Sequence, residues 1–246
     1  EKLLRNSRRF GTQIHWYILT SEMNHQATVK AFEQADYFGL SHQTVHFIVQ
    51  GLAPAVDFFG KLLLEAPDKI ARTPDGHGGA LRALVRSGAV DALKALGVDV
   101  ISYFQVDNPM VACLDPSFIG FHLMEQSQLS SKMVQKAHAF EKVGVFCECL
   151  GKQMVVEYSD LPRSLQTAHN SEGELLYKGG SIAIHLFDRD FVEQVAGSGC
   201  ELPFHRADKK IPYVNSAGEH ILPSEANGVK FELFVFDALS LAERTL

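Results

Sequence analysis

Apolar and polar positions in the first half of the chain follow one another in the order strand, loop, helix. Short apolar runs predict strands over 13–20, 44–50 and 98–108, and helical patterns cover about 24–36, 80–87 and 89–96. This order predicts right-handed crossovers and a mostly parallel sheet. Ligands of such sheets lie beyond the carboxyl ends of the strands. Three polar groups fall at such ends: Gln50, the loop 75–79 and the pair Asp107–Asn108.

The second half of the chain has the pattern of strands joined by short links. Strands are predicted over 131–137, 143–150, 153–159 and 174–188, with hairpins at Gly151–Lys152 and around 215–218. A helix is expected over 188–196, and the segment 228–246 reads as a strand that passes into a final helix. We therefore expect one α/β domain over residues 1–246 with antiparallel additions.

Composition narrows the functional class. The 246 residues carry a net charge of −6, with 46% hydrophobic and 21% charged residues, which is typical of a globular protein. The mild acidity argues against nucleic acid as a partner, and without an apolar run of about 18 residues we expect no membrane span. The basic start of the chain has no apolar signal core. It has the pattern of the end of a helix and no initiator Met, so we expect the chain to begin inside a longer protein.

The four cysteines are too few for a disulfide scaffold and form no C-x-x-C pair. We interpret Cys113, Cys147, Cys149 and Cys200 as reduced core or near-core residues of a cytoplasmic protein. The eleven histidines are scattered and predict no transition-metal site. The sequence contains no G-x-S-x-G motif, which argues against a serine hydrolase.

Two polar segments of the first half have both a functional and a structural interpretation. In the functional interpretation of Asp107–Asn108, the carboxylate binds Mg²⁺ or a hydroxyl group of a ligand. In the structural interpretation, the pair forms a turn whose side chains bond its own backbone. In the loop Asp75-Gly76-His77-Gly78-Gly79, three glycines would let N–H groups approach an anion or a base, and the alternative is a turn with a helix cap.

Three positions of the second half are equally open. Glu157 is a candidate for binding sugar hydroxyls or an edge-strand carboxylate in solvent. The run 179–181 marks either a close ligand or a bulged strand. Lys230 is a candidate phosphate contact or a lysine that extends its amine to water.

Taken together, eight segments resemble the UDP-N-acetylglucosamine pyrophosphorylase family, within the wider UDP-sugar pyrophosphorylase group. They are HWYILTSE, the Gln50 strand, TPDGHGGALRAL, YFQVDNPMVACLDPSFIGFH, VGVFCECLGKQMVVEYSDL, SEGELLYKGGSIAIHLF, KKIPYV and ANGVKFELFVFD, in the family's order and over nearly the whole chain. The resemblance implies a Rossmann-like nucleotidyltransferase domain. It also implies Mg²⁺-dependent formation of a UDP-sugar and pyrophosphate from UTP and a sugar 1-phosphate.

The resemblance also implies roles for individual residues. Gln50, Gly76 and His77 would bind the nucleotide. Asp107 would serve the metal and the phosphates, and Lys230 would neutralise phosphate charge. The sugar would be contacted by Asn108, Gly144, Glu157 and Ser181.

Departures from the family pattern leave alternatives for the sugar and for the activity of the chain. His77 and Ser181 each stand where the N-acetylglucosamine branch usually has Asn, so N-acetylgalactosamine and glucose 1-phosphates stay open beside the favoured N-acetylglucosamine. The family's Gly-rich loop and its C-terminal lysine segment are absent from the 246 residues, so we expect the central part of a catalytic domain with little or no activity by itself. The alternative is a non-catalytic nucleotide-sugar-binding relative. A nicotinamide-dependent enzyme is disfavoured because G-x-G-x-x-G is missing.

Overall fold

The computed structural model describes residues 1–197 and 202–246. Its α-helices are α1 (Lys2–Phe10), α2 (His25–Gln34), α3 (Gly79–Arg86), α4 (Ala89–Ala95), α5 (Pro116–Met124), α6 (Arg163–Gln166) and α7 (Arg189–Ala196). Segments of 3₁₀-helix cover Asp36–Gly39, His42–Thr44 and Val235–Leu241. None of the helices in the described ranges is long and apolar enough to cross a membrane.

The strands are mostly short. They are β1 (Trp16–Thr20), β2 (Val45–Val49), β3 (Leu52–Pro54), β4 (Val56–Asp57), β5 (Leu64–Ala66), β6 (Lys69–Ile70), β7 (Arg72–Pro74), β8 (Val100–Tyr103), β9 (Leu129–Gln135), β10 (Val145–Cys149), β11 (Lys152–Val156), β12 (Gly179–Asp188), β13 (Phe204–Lys209), β14 (Tyr213–Val214), β15 (His220–Ile221) and β16 (Gly228–Leu233).

The chain divides into two compact units, each built from separated segments. The first unit comprises Glu1–Thr12, Ala89–Cys200 and Phe236–Leu246, and the second comprises Gln13–Gly88 and Glu201–Val235. Assignment of the whole range 1–246 to one domain stays a prediction.

The first unit is organised around β12. This strand pairs antiparallel with β8, β9 and β10, and β11 extends the sheet as the hairpin partner of β10. The successive residues Leu186 and Phe187 are 1% and 0% exposed. Because successive side chains of a strand point to opposite faces, both faces of β12 are covered there. The Asp188 side chain accepts a hydrogen bond from the Phe191 N–H at 3.0 Å and begins α7 as its N-cap.

The second unit contains a parallel strand pair and several small antiparallel sheets. β1 and β2 pair in parallel, and α2 lies between them in the chain. Phe32 on α2 packs against Trp16 and Phe47, with ring centroids 5.5 Å and 5.1 Å apart. β16 pairs antiparallel with β13 on one side and β4 on the other.

The α/β class is confirmed, but the balance of strand pairings differs from the expected mostly parallel sheet. Within the described ranges, β1–β2 is the parallel ladder, and the other ladders between the strands above are antiparallel. The difference arises because β8 pairs antiparallel with β12, a strand from the second half, so the antiparallel additions make up most of the pairing.

Several local predictions are corrected. The strand expected over 98–108 ends at Tyr103, since the following apolar Val106 is 99% exposed in a turn. The final segment forms a 3₁₀-helix over Val235–Leu241. Cys113 and Cys147 are half-buried, whereas Cys149 is exposed at the end of β10; all three are free. The interpretation of Cys200 lies outside the described residues.

The hairpin between β10 and β11 turns at Leu150–Gly151, one residue earlier than predicted. Both turn residues have positive φ, 52° and 75°. A two-residue turn of this kind favours Asn before Gly, because an ordinary side chain is strained in the left-handed region. Leu150 is also 99% exposed, so its side chain gains nothing from packing.

We expect Leu150→Asn to raise the free energy of unfolding by about 1 kcal/mol, because asparagine tolerates the left-handed conformation. Denaturant unfolding measures this. Leu222→Asn is the matched control, because Leu222 is 81% exposed and is not among the positive-φ residues. Equal effects of the two substitutions would show that turn strain is not the cause.

Candidate functional site

The glycine loop of the second unit is held against the end of β16. The Leu233 N–H donates to the Asp75 carbonyl at 2.7 Å, and the Gly78 N–H donates to the Leu233 carbonyl at 2.8 Å. A Cβ at Gly76 would lie 2.7 Å from Leu233 N, and one at Gly78 would lie 2.7 Å from the carbonyl carbon of Phe234. Gly76 also has a φ of 85°, which glycine adopts without strain. Packing of the loop on β16 therefore requires these glycines independently of any ligand.

Gln50 and Gly76 lie together, as the resemblance implies. Gln50 directly follows β2, and its N–H donates to the Thr20 carbonyl at 2.7 Å. Its side-chain Nε2 donates to the Gly76 carbonyl at 2.6 Å. Among the described residues the Gly76 N–H has no acceptor. The arrangement places a side-chain amide beside the backbone N–H of a buried glycine.

Asp75 is a buried carboxylate beside this pair, and the sequence did not single it out from its loop. It is 6% exposed and lies between two glycines: a Cβ at Gly51 would be 3.1 Å from Asp75 Cγ, and one at Gly79 would be 2.6 Å from it. Oδ1 has no hydrogen-bond partner among the described residues.

Burial opposes ionisation of the Asp75 carboxyl group. Burial raises its pKa, and the hydrogen bond with Gln50 and the charges of Arg82 and Arg86 oppose this only in part. A cavity of about 210 Å³ adjoins the carboxylate and is lined by Val49, Gly51, Asp75, Arg82, Ala83, Arg86 and Ser87.

His77 is packed as a neutral imidazole. Its Nδ1 accepts a hydrogen bond from the Val235 N–H at 3.2 Å, and its ring stacks on Phe234 at a centroid distance of 5.2 Å. Phe234 stacks in turn on His205 at 4.2 Å. Burial lowers the pKa of His77 to about 4; the charge of Glu232 raises this pKa, and that of His205 lowers it further. Contact of His77 with a nucleotide stays a prediction.

Lys230 has a partner that the sequence interpretation did not identify. Its Nζ donates to Glu232 Oε1 at 2.8 Å, and the two side chains are 20% and 22% exposed. The alternation of β16 puts residues 230 and 232 on one face, which was the signal available in the sequence. A phosphate at Lys230 would share this ammonium group with Glu232.

Three of the predicted sugar-binding residues lie together in the first unit. The Ser181 N–H donates to the Gly144 carbonyl at 2.7 Å. A Cβ at Gly144 would be 3.3 Å from Glu157 Oε2 and 2.7 Å from a methyl group of Val155, so a larger residue does not fit there. Glu157 follows β11 directly and is half-buried. These contacts place a carboxylate near a serine on the neighbouring part of β12.

Ser181 lies at an irregularity of β12. The register against β9 shifts between Ser181 and Ile184, and Ala183 has a φ of 52°. The predicted alternative of a bulged strand is therefore present.

Asp107 and Asn108 lie in a turn rather than at a strand end. Asp107 is exposed, and Asn108 Oδ1 accepts a hydrogen bond from the Met110 N–H at 3.1 Å. The predicted turn that bonds its own backbone is thus formed. Burial raises the pKa of the neighbouring Tyr103 to about 12; hydrogen bonding by Gln105 lowers it, and the Asp107 charge adds to the rise.

The described ranges contain no group of three or more His, Cys, Asp or Glu residues that could hold a metal. Asp107 would therefore be a single-carboxylate site. One carboxylate fits Mg²⁺ when a substrate's phosphate oxygens complete its coordination.

Replacement of His77 should change the pH dependence of stability. The folded-state pKa lies below the ordinary value, so the unfolded chain takes up a proton first as pH falls from 6.5 towards 4, and stability is lost in that window. We expect His77→Asn to reduce this loss by on the order of 2 kcal/mol. Denaturant unfolding between pH 7 and 4.5 measures the change.

The control for this experiment is His42→Asn at an exposed histidine of the same unit. It should leave the wild-type profile unchanged. An unaltered profile for His77→Asn would contradict a buried neutral imidazole.

Comparison with known proteins places this geometry in a family. The sequence profile of the UTP–glucose-1-phosphate uridylyltransferases matches residues 1–235. UDP-N-acetylhexosamine pyrophosphorylase-like protein 1 of Mus musculus is 39% identical over 96% of the chain and 47% of its own length. UDP-N-acetylglucosamine pyrophosphorylase of Saccharomyces cerevisiae is 36% identical over 92% of the chain and 48% of its own length.

A crystal structure shows the same fold. A protein of Entamoeba histolytica provisionally named UDP-N-acetylglucosamine pyrophosphorylase superposes with a TM-score of 0.88 and 37% identity, over 99% of this chain and 62% of its own. The chain spans about half the length of the curated relatives it matches. With the profile match over residues 1–235, the chain belongs to the UTP–glucose-1-phosphate uridylyltransferase family.

Proposed function

We propose that this chain carries substrate-binding groups of a UTP:sugar-1-phosphate uridylyltransferase that forms a UDP-sugar and pyrophosphate, with N-acetylglucosamine 1-phosphate as the favoured sugar. The observation that carries the proposal is the 2.6 Å hydrogen bond from Gln50 Nε2 to the Gly76 carbonyl. Membership of the family and the names of the relatives support the reaction class.

The Gln50–Gly76 pair has the polarity needed to bind uracil. With Nε2 engaged by the protein, Gln50 offers its carbonyl oxygen as an acceptor, and Gly76 offers its N–H as a donor. The imide edge of uracil presents the complementary N–H donor beside a carbonyl acceptor. Cytosine presents a ring nitrogen acceptor and an amino donor at the same positions, so the pair would repel it.

The Gly144, Glu157 and Ser181 group has the polarity needed for a sugar. A carboxylate accepts hydrogen bonds from hydroxyl groups, and the serine hydroxyl both donates and accepts. Glycine at 144 keeps a side chain away from Glu157 Oε2. The carboxylate would bind sugar hydroxyls, and Asn108 would add an amide contact.

The reaction needs positioning and charge neutralisation rather than a covalent nucleophile. A phosphate oxygen of the sugar 1-phosphate attacks the α-phosphorus of UTP, and pyrophosphate leaves. In this proposal Asp107 would hold Mg²⁺ together with phosphate oxygens, and the metal would supply positive charge there. Lys230 would add a further positive charge near the phosphates.

One observation favours the alternative of a nucleotide-sugar-binding relative without catalysis. Glu232 already neutralises Lys230 at 2.8 Å, which weakens its contribution to a phosphate. Turnover of UTP and a sugar 1-phosphate by the whole protein would decide against this alternative. A cytoplasmic location, which the cysteine content predicts, stays part of the proposal.

We expect Glu157→Gln to weaken binding of UDP-N-acetylglucosamine about tenfold and to leave UDP binding unchanged, because a charged acceptor of a sugar hydroxyl is lost. Calorimetric titration of the chain with each ligand measures both affinities. Glu148→Gln, an exposed glutamate on β10, is the matched control and should change neither.

Two results would count against the proposal. Equal loss of UDP and UDP-sugar binding in Glu157→Gln would remove the residue from the sugar site. A wild-type chain with no affinity for UDP would contradict the nucleotide half of the proposal.

A further inference from the structure

We propose that Asp75 is the positioning residue that fixes the orientation of the Gln50 carboxamide and thereby sets a preference for uracil over cytosine. This inference rests on the proposed function of Gln50 and Gly76. Asp75 would not touch the ligand; it would act through Gln50.

Backbone and side-chain contacts hold Asp75 beside Gln50. The Asp75 N–H donates to the carbonyl of Gly51, the residue that follows Gln50, at 3.1 Å. The Asp75 carboxylate packs so closely on Gly51 and Gly79 that a Cβ at either position would overlap it. The Leu233 N–H donates to the Asp75 carbonyl at 2.7 Å. The carboxylate therefore has little freedom to turn away from Gln50.

A side-chain amide can be placed in two orientations related by a flip, and they present opposite polarity to a ligand. Here the Gly76 carbonyl takes one hydrogen of Gln50 Nε2 at 2.6 Å, and the Asp75 carboxylate packs on Gly51, the residue next to Gln50. Burial raises the pKa of Asp75, and the Gln50 side chain opposes this rise, as a donor to the carboxylate does. When Asp75 is ionised, its carboxylate and the Gly76 carbonyl can accept hydrogen bonds but cannot donate them. Each of them therefore requires the nitrogen end of the Gln50 amide. A flip would bring the Gln50 oxygen against two other oxygens. The carbonyl oxygen of Gln50 is thus left to accept the N–H of uracil.

The fold gains little from the charge on Asp75. Asp75 is 6% exposed as a whole residue, its Oδ1 has no partner among the described residues, and burial raises its pKa. A raised folded-state pKa means that the ionised carboxylate opposes folding at neutral pH. An asparagine of the same shape would avoid this cost, but it could donate or accept and would not impose one orientation on Gln50. Orientation of the Gln50 amide therefore explains why an unfavourable buried charge is present at Asp75.

The test compares UDP with CDP on the 246-residue chain by calorimetric titration. We expect the wild type to prefer UDP and Asp75→Asn to reduce the UDP:CDP affinity ratio about tenfold or more, because one of the two anchors of the amide is lost. The melting temperature of Asp75→Asn should be equal to or above that of the wild type. Asp68→Asn, at an exposed aspartate of the same unit, should keep the wild-type ratio.

An unchanged UDP:CDP ratio in Asp75→Asn would overturn the inference. So would a parallel loss of affinity for both nucleotides with a lower melting temperature, since that pattern indicates a structural role. The opposite pattern, a lost preference in a protein of undiminished stability, is not expected from structural damage.

A second readout separates this inference from the proposed function. If the wild type shows no preference for UDP, the proposed uracil site is wrong, and the Asp75 claim is decided by the Gln50 side-chain amide in ¹⁵N NMR spectra. Slow exchange of both Nε2 protons in the wild type, with faster exchange of at least one in Asp75→Asn, would support the positioning role. Identical exchange in the two proteins would overturn it.

Discussion

The candidate nucleotide site depends on one constraint, the close packing of the glycine loop 75–79 against the end of β16. Two backbone hydrogen bonds at Leu233 hold the loop, and side chains at positions 76 and 78 would overlap the backbone of Leu233 and Phe234. Because the loop is held there, the Gly76 carbonyl meets the side chain of Gln50 at the end of β2. β16 itself is paired on both edges, by β13 and β4, so the support for the loop is a strand with two partners.

Burial also shifts the pKa values of the two titratable residues of the loop. The pKa of Asp75 is raised and that of His77 is lowered, in each case mainly because burial disfavours the charged form. For His77 the outcome is a neutral ring that accepts the Val235 N–H. For Asp75 the outcome is a carboxylate whose ionisation costs stability. Stability and orientation of the Gln50 amide therefore impose opposite demands on one residue, which is common where a fold serves a binding site.

The sequence predicted the elements of the fold better than it predicted the contacts of the site. Apolar runs located β1, β2 and β12, and glycines located the loop, because these patterns depend on local chain geometry. The end of β8 was missed because Val106 is apolar yet 99% exposed. The Gln50–Gly76 contact came from family resemblance alone, since the two residues are 26 positions apart and no local pattern joins them.

Asp75 could not be recognised from the sequence, because an Asp before glycines has the same local pattern as an exposed turn. The Lys230–Glu232 pair, in contrast, could have been found from strand alternation. The sugar group was assigned by resemblance, and the structure adds the packing that limits residue 144 to glycine. What sequence alone cannot supply is the distance between segments far apart in the chain.

If Gln50 and Gly76 bind the imide edge of uracil, the amide signal of Gly76 should respond to the nucleotide. In ¹⁵N NMR spectra of the labelled chain, saturating UDP should shift the Gly76 amide proton downfield and slow its exchange, as expected for a new hydrogen bond to a carbonyl oxygen. CDP at the same concentration should produce neither change. A Gly76 amide that is unaffected by UDP, or affected equally by both nucleotides, would show that Gly76 does not bind the imide edge of uracil.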